Sequence, residues 1–338
     1  MKAGTKHATF NPFVSIIIPL HWGLKEENYP RFINDLKKYL KLDYKKYEII
    51  LVTDVPAKLP FISKKIKHII TRKKTASPAE KRDYALKFAK GEICAFIDDD
   101  AYPDKNWIKH AVKHFQKKDI VAVGGPGVTP LEDSFWQKIG GYILESYLGS
   151  GAVRYRFYSG NQKVISVDDY PAYNLFVRTD ILKKVGGYGN AFYGGEDTYL
   201  CIKLKKEGKI LYDAKAIVYH HRREFLSAHV KQISSVGIHR GYFFKKFPET
   251  SRRFLYLLPT LLTFCFILCI MFSIILPPIF FAFFVGLLLF IIIIGTISVR
   301  RNHVQWIPAV IASVGIIITH IFYGIYFVKG LFLKNLEH

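Results

Sequence analysis

Beyond Arg253 the chain all but stops being charged. Of 49 basic and 27 acidic residues in 338, only Arg300, Arg301, Lys329, Lys334 and Glu337 lie past that point, so the net charge of +22 sits almost wholly on the part before it. The tail divides into three apolar stretches, 254–276, 278–299 and 306–328, each close to the ~20 residues that a bilayer core requires. Residues 280–294 have no polar face, which argues against a buried soluble bundle. Pro277 and Pro278 punctuate the first two stretches as a tight hairpin. Arg252, Arg253, Arg300 and Arg301 then flank one membrane side, cytoplasmic by the positive-inside rule. These features predict a cytoplasmic head, residues 1–250, and a multi-pass domain in the cell membrane, residues 251–338, with three crossings and the C-terminus on the far side.

The N-terminus is polar and lacks the apolar core of a cleavable signal. Cys94 and Cys201 are isolated and Cys265 and Cys269 fall in the first apolar stretch, so neither disulfide pairing nor zinc spacing is expected. A basic head invites a nucleic-acid reading. Its lysines, however, are scattered in pairs (Lys37 and Lys38, Lys45 and Lys46, Lys64 and Lys65) rather than stacked with aromatics on one motif, so nucleic acid is excluded and anionic lipid or a phosphorylated substrate preferred.

The head alternates strand and helix signals. Apolar runs at 13–19, 47–53, 66–71 and 92–97 read as buried strands, with an amphipathic helix near 29–40. Ser77, Pro78 and Glu80 spell a helix start with a capping box, and Gly91 reads as its stop. Continuous apolar strands separated by helices imply a parallel sheet covered on both faces, with ligands at the carboxyl ends of the strands. Residues 131–148 place Phe135, Trp136, Ile139, Tyr142, Ile143 and Tyr147 at helical spacing, either a helix packed on the sheet or one lying in the membrane interface. Further strands are expected near 164–167, 175–177 and 216–219, and helices from Thr179, from Glu196 and from about Phe225.

Three aspartates, Asp98, Asp99 and Asp100, follow the fourth strand. Adjacent carboxylates repel, so either solvent or a cation must relieve them. Asp54 ends the second strand, Glu196 and Asp197 open a helix behind Gly194 and Gly195, and His220 and His221 follow a later strand. Together they suit transfer of a group from a diphosphate donor. A divalent cation on oxygen ligands neutralises the leaving diphosphate, and a carboxylate, one of Glu196 and Asp197, takes the proton of an incoming hydroxyl.

The runs Val14-Ser15-Ile16-Ile17-Ile18-Pro19, 48–54, Ala89-Lys90-Gly91-Glu92 with Asp98-Asp99-Asp100, and Gly195-Glu196-Asp197 with Leu200 resemble, in order and spacing over residues 13–247, the family 2 glycosyltransferases. The resemblance implies a GT-A fold, the Rossmann-like α/β head of nucleotide-diphospho-sugar transferases, here followed by transmembrane helices as in members that build polysaccharide or lipid-linked glycans. It also implies roles. Asp54, Arg82, Asp98 and Asp99 would bind the nucleotide, commonly uridine. Asp98 and Asp100, with His220 or His221, would hold Mn2+ or Mg2+. Asp197 would be the base of an inverting displacement with Glu196 beside it, and Arg240 and Asn174 would serve the diphosphate and the acceptor.

Three departures stand out. Thr53 replaces a common acid, His21-Trp22-Gly23 replaces a common Tyr-Asn pair, and the Gln-x-x-Arg-Trp signature of processive synthases is absent. The expectation is a metal-dependent enzyme moving one sugar per encounter from a UDP-sugar to a lipid-linked or polysaccharide acceptor at the membrane. The alternatives are a polyprenyl-phosphate glycosyltransferase and a non-catalytic glycan-binding scaffold.

Overall fold

The computed structural model describes residues 10–20, 29–56, 59–61, 63–73, 75–160, 163–189, 192, 194–275 and 277–336. The departure at His21-Trp22-Gly23 lies outside them. The chain forms two compact units: Met1–Gly127 with Ser159–Ala191 and Glu196–His220, and Val128–Tyr158 with Phe192–Gly195 and His221–His338.

The first unit is built on eleven strands numbered along the chain. Eight form one sheet in the order β3 (Ile66–Ile70), β2 (Tyr47–Thr53), β1 (Val14–Pro19), β4 (Ile93–Phe96), β9 (Leu175–Arg178), β6 (Ile120–Gly124), β10 (Lys209–Asp213), β8 (Val164–Val167). Every residue of β1, β4 and β6 is buried, as strands covered on both faces require. The helices are α1 (Tyr29–Tyr39), α2 (Pro78–Leu86), α3 (Trp107–Val112), α6 (Thr179–Lys184) and α7 (Glu196–Leu204). Six strands differ from expectation. β5 (Ala101–Pro103), β6, β7 (Gly127–Val128) and β10 were not anticipated, β8 runs antiparallel to β10, and β9 runs antiparallel to both its neighbours, so the sheet of eight is mixed. The physical reason is the route: between β6 and β9 the chain leaves for the second unit, and no crossover helix returns it in parallel. A small second sheet pairs β5 (Ala101–Pro103) antiparallel with β11 (Val218–His220), and β11 adjoins β7 (Gly127–Val128).

The helix start at Ser77 forms as its sequence dictates. Glu80 N donates to Ser77 Oγ at 3.2 Å and Ser77 N to Glu80 Oε2 at 2.9 Å, a reciprocal cap worth about 1 kcal/mol. The helix ends at Leu86, short of Gly91. Gly91 serves another end: a Cβ there would collide with the backbone nitrogen of Ser15, and its own N–H donates to Ser15 Oγ at 2.8 Å.

The second unit is helical: α4 (Phe135–Glu145), α5 (Tyr147–Ser150), α8 (Ser227–Lys246), α9 (Pro248–Ser251), α10 (Phe254–Ile275), α11 (Pro278–Arg300) and α12 (Trp306–Phe332). The last three are long and apolar enough to cross a membrane. The division does not fall near residue 250. α4 buries Ile139 and Ile143 with Val299, Val304, Ala309, Ala312 and Ile316 of the tail, so this segment packs on the apolar helices while Phe135 and Trp136 stay about half exposed.

Candidate active site

β4 delivers the aspartates and β5 turns them. Ala101 N closes the turn on the Asp98 carbonyl at 3.2 Å, and Tyr39 Oη donates to the Ala101 carbonyl at 2.8 Å. The antiparallel register opposes Ala101 with His220, which brings its Nε2 to 3.0 Å from Asp100 Oδ1. The imidazole stacks on Tyr173, ring centroids 4.8 Å apart, and its Nδ1 is buried without a hydrogen bond. One ligand atom each of Asp98, Asp100 and His220 lie within 4.8 Å of one another. Two carboxylates and an imidazole are donors that suit Mn2+, and the oxygens alone suit Mg2+. The set fits a divalent cation, whose charge would relieve the carboxylate repulsion.

Arg82 joins this cluster to the acidic pair. It rises from α2, is 4 % exposed, and donates through Nη2 to Asp98 Oδ1 at 2.7 Å. Its Nη1 lies 3.5 Å from Glu196 Oε1 and 3.8 Å from Asp197 Oδ1, and its plane sits 5.2 Å from the Tyr188 ring. Burial alone would lower its pKa, but Asp98 foremost, with Tyr188, Asp197 and Glu196, raises it overall, so the guanidinium stays charged. Ala172 N donates to Asp197 Oδ2 at 3.0 Å, which fixes that carboxylate and leaves Oδ1 directed elsewhere. Burial first, then Glu196, pushes the Asp197 carboxyl up to about 7 against the pull of Arg82 and Ala172. Arg82 Nε and Nη1, Glu196 Oε2 and Asp197 Oδ1 are all buried without a hydrogen bond. Each such atom costs about 1–3 kcal/mol, and four in one place mark a site that a ligand completes.

The other expected residues divide. Asp54 is buried at the end of β2 with its carboxylate committed: Lys81 Nζ lies 2.9 Å away, Thr71 Oγ1 donates at 2.8 Å and Ala76 N at 3.3 Å. Asp99 is half-buried and outside the triad. Asn174 is wholly buried and does not reach the acidic cluster. Its amide donates to the carbonyls of Ala216 and Pro126, and its oxygen accepts from Trp107 Nε1 at 2.8 Å, so it ties strands together. His221 belongs to the second unit, where its Nδ1 pairs with buried Asp133, while His220 alone joins the triad. Arg240 is also in the second unit, over the Tyr256 ring at 4.5 Å.

Sequence reasoning missed Asp83, Tyr188, Tyr173 and the Ala172 amide. Asp83 accepts from Tyr188 N and Gly189 N, both at 2.8 Å, and so places Tyr188 under Arg82. Gly187 has φ +66°, and a Cβ there would strike the Asp83 carboxylate, so the Gly-Gly-Tyr-Gly run at 186–189 was the available signal.

The glycosyl transferase family 2 pattern matches residues 15–186, about half of the chain. The glycosyltransferase AglE of Haloferax volcanii is 25 % identical over 225 residues, which cover 62 % of this chain and 67 % of that one. The pre-mycofactocin glycosyltransferase of Mycobacterium tuberculosis is 26 % identical over 148 residues, 43 % of this chain and only 30 % of that protein. Among solved structures, the mannosyltransferase PcManGT from Pyrobaculum calidifontis, in complex with GDP-Man and Mn2+, superposes with a TM-score of 0.50 at 17 % identity. The match covers 70 % of this chain and 64 % of that one, a likeness of fold.

Proposed function

Since the chain belongs to glycosyl transferase family 2, we propose that this glycosyltransferase moves a sugar, with inversion, from a nucleotide-sugar to a lipid-linked glycan or nascent polysaccharide at the cytoplasmic face of the membrane. The observation that carries the reading is the single guanidinium of Arg82 joining Asp98, beside the cation triad, to Asp197 and Glu196. Asp98, Asp100 and His220 would hold Mn2+ or Mg2+, which supplies Lewis-acid neutralisation of the departing diphosphate. Asp197 Oδ1, buried and without a hydrogen bond, accepts the proton of the acceptor hydroxyl as that oxygen forms its bond to the sugar. Ala172 holds the other oxygen of the same carboxylate, and Arg82 stabilises the charge gathering on the donor side. Glu196 keeps Asp197 basic enough to take a proton near neutral pH.

The donor is a UDP-sugar on the pattern at Asp54. GDP-mannose is the second candidate, favoured by the mannosyltransferase of like fold. Release of UDP and of GDP from a set of nucleotide-sugars, with Mn2+, Mg2+ or chelator and a membrane extract as acceptor, tests the reading. Cation-dependent release from one donor is expected, and no release from any donor would remove the enzymatic reading.

The metal assignment has its own test. Asp100→Asn keeps the shape of the side chain and loses its charge. The gain in nucleoside-diphosphate affinity on adding Mn2+ is expected to shrink at least ~10-fold, because a hard cation loses an anionic ligand. Titration with and without Mn2+ measures it, and an unchanged gain would take Asp100 out of the cation site. His221→Ala is expected to leave that gain intact and to lower the melting temperature instead, because buried Asp133 keeps the Arg222 amide but loses its side-chain partner.

A further inference from the structure

A helix of 27 residues is about 40 Å long and could cross a bilayer, which is what the sequence led us to expect of α12. The packing inside the second unit says otherwise. α12 meets α11 where Ser313 Oγ donates to the Ile292 carbonyl at 2.7 Å and where a Cβ on Gly295 would strike Ser313. It meets α10 where Thr263 Oγ1 donates to the His320 carbonyl at 3.0 Å and where a Cβ on Gly324 would strike Thr263 and the Pro259 carbonyl. At 1.5 Å per residue, Ile292, Gly295, Thr263 and Pro259 all lie roughly 20–27 Å from the turn at Pro277. Between those two contacts α12 itself advances about 10–17 Å. A helix that moves along its own axis while staying level with the hairpin turn runs across the hairpin, not beside it.

Burial agrees. Thr263 is the one buried residue of α10, and Gly295, Thr296 and Val299 are the buried residues of α11. A third helix standing alongside would bury a stripe on the intervening length, and the described residues of 264–294 carry none.

α8 supplies the second argument. It runs parallel to α12 for most of its length. His229 Nε2 lies 2.9 Å from Thr319 Oγ1, Gly237 abuts the Tyr323 carbonyl, Gly241 the Phe327 carbonyl, and Lys245 Nζ donates to the Leu331 and Leu333 carbonyls. If α12 stood across a bilayer, α8 would carry Lys231, Gln232 and Arg240 into it. Basic side chains at the centre of a bilayer are among the costliest to place there. The side of α12 opposite α8, counted at 100° per residue, is an exposed apolar stripe of Ile307, Val310, Val314, Ile325, Val328 and Phe332. α8 leads through α9 into α10, so the hairpin passes α12 from the α8 side to the stripe side. Its turn bears Ile274, Ile275 and Ile279, all more than 70 % exposed, and no charged group.

We propose that α12 lies in the plane of the membrane interface, with its stripe on the acyl boundary and α8 on the water side, and that only the α10–α11 hairpin enters the bilayer. The C-terminal segment, Lys334 and Asn335, is then on the same side as Arg252, Arg253, Arg300 and Arg301. This replaces the third crossing and brings every charge of the chain's described tail to one face.

The test uses the full chain in sealed vesicles of both orientations. Glu249→Cys and Asn335→Cys place thiols at exposed positions, against a wild-type background of buried or lipid-facing cysteines. A membrane-impermeant maleimide is expected to label both variants in the same vesicle population. Labelling of Asn335→Cys only where Glu249→Cys is protected would overturn the proposal. Carboxypeptidase on the unsubstituted chain gives an independent reading: shortening is expected only in the population where Glu249→Cys labels, and shortening only in the other population overturns it. Recovery of the chain entirely in the aqueous fraction would also overturn it.

Discussion

Asp197→Asn is expected to abolish sugar transfer and to make the protein more stable above neutral pH. The asparagine keeps the shape of the side chain and the hydrogen bond from Ala172, but has no lone pair basic enough to take the hydroxyl proton. Loss of a general base of this kind costs ~10²–10⁴ in kcat. Nucleotide binding, which rests on other groups, should change little. The stability effect follows from proton linkage. Burial and Glu196 raise the folded carboxyl to about 7, whereas an unfolded aspartate titrates near ~3.9. Between those values the folded chain holds a proton that the unfolded chain has released, so stability falls as pH rises through the window and is fully penalised above 7. Asparagine removes that slope. Melting curves at pH 4, 6 and 8 should show wild type and variant alike at the lowest pH and the variant higher at pH 8. In the wild type, kcat/KM should climb with pH up to about 7. Wild-type turnover by the variant would remove Asp197 as the base.

Arg82→Met should strongly destabilise the first unit. The guanidinium is 4 % exposed and faces Asp98, Glu196 and Asp197, so methionine leaves three acids without their counter-charge. Breaking a buried pair from one side costs about 3–5 kcal/mol, and here one cation serves three carboxylates. The Asp197 carboxyl, which Arg82 pulls down, should titrate higher still, shifting the rising limb of the pH–rate profile to higher pH. Added Mn2+ should raise the melting temperature of the variant more than that of the wild type, because a cation beside Asp98 replaces part of the missing charge. Arg82→Lys keeps the charge without the planar fork, and should recover stability but lose nucleoside-diphosphate affinity ~10-fold. Unchanged melting and turnover in Arg82→Met would detach Arg82 from the centre.

Much of this was legible in the residues. β1, β2 and β4 are apolar runs too continuous for half-exposed strands, and Ser77, Pro78 and Glu80 spell a helix start that forms as written. The acids at 98–100 and 196–197 stood at element boundaries, which is why their meeting could be anticipated. What escaped depended on long-range geometry. The antiparallel direction of β9 follows from where the chain returns, and Leu175–Arg178 would read the same in either direction. His220 is the last residue of β11 and His221 lies just past it, and which of the two meets Asp100 is set by the register of β11 on β5, which opposes His220 with Ala101. Asn174 looked available because a buried amide and a substrate-binding amide have the same sequence signature. Asp83 lay beside Arg82 with nothing local to say that its partners would be the amides of Tyr188 and Gly189, distant in the chain.

Lys81 and Arg82, successive residues of α2, grip different strand ends. Lys81 donates to the Leu20 carbonyl just past β1 at 2.8 Å and meets Asp54 at the end of β2, and Arg82 takes Asp98 at the end of β4. A single helical turn therefore ties three strand termini together. On the proposed nucleotide role of Asp54, altering it to change base preference is expected to change the rate constant as well, and paired substitutions at Asp54 and Asp98 should deviate from additivity.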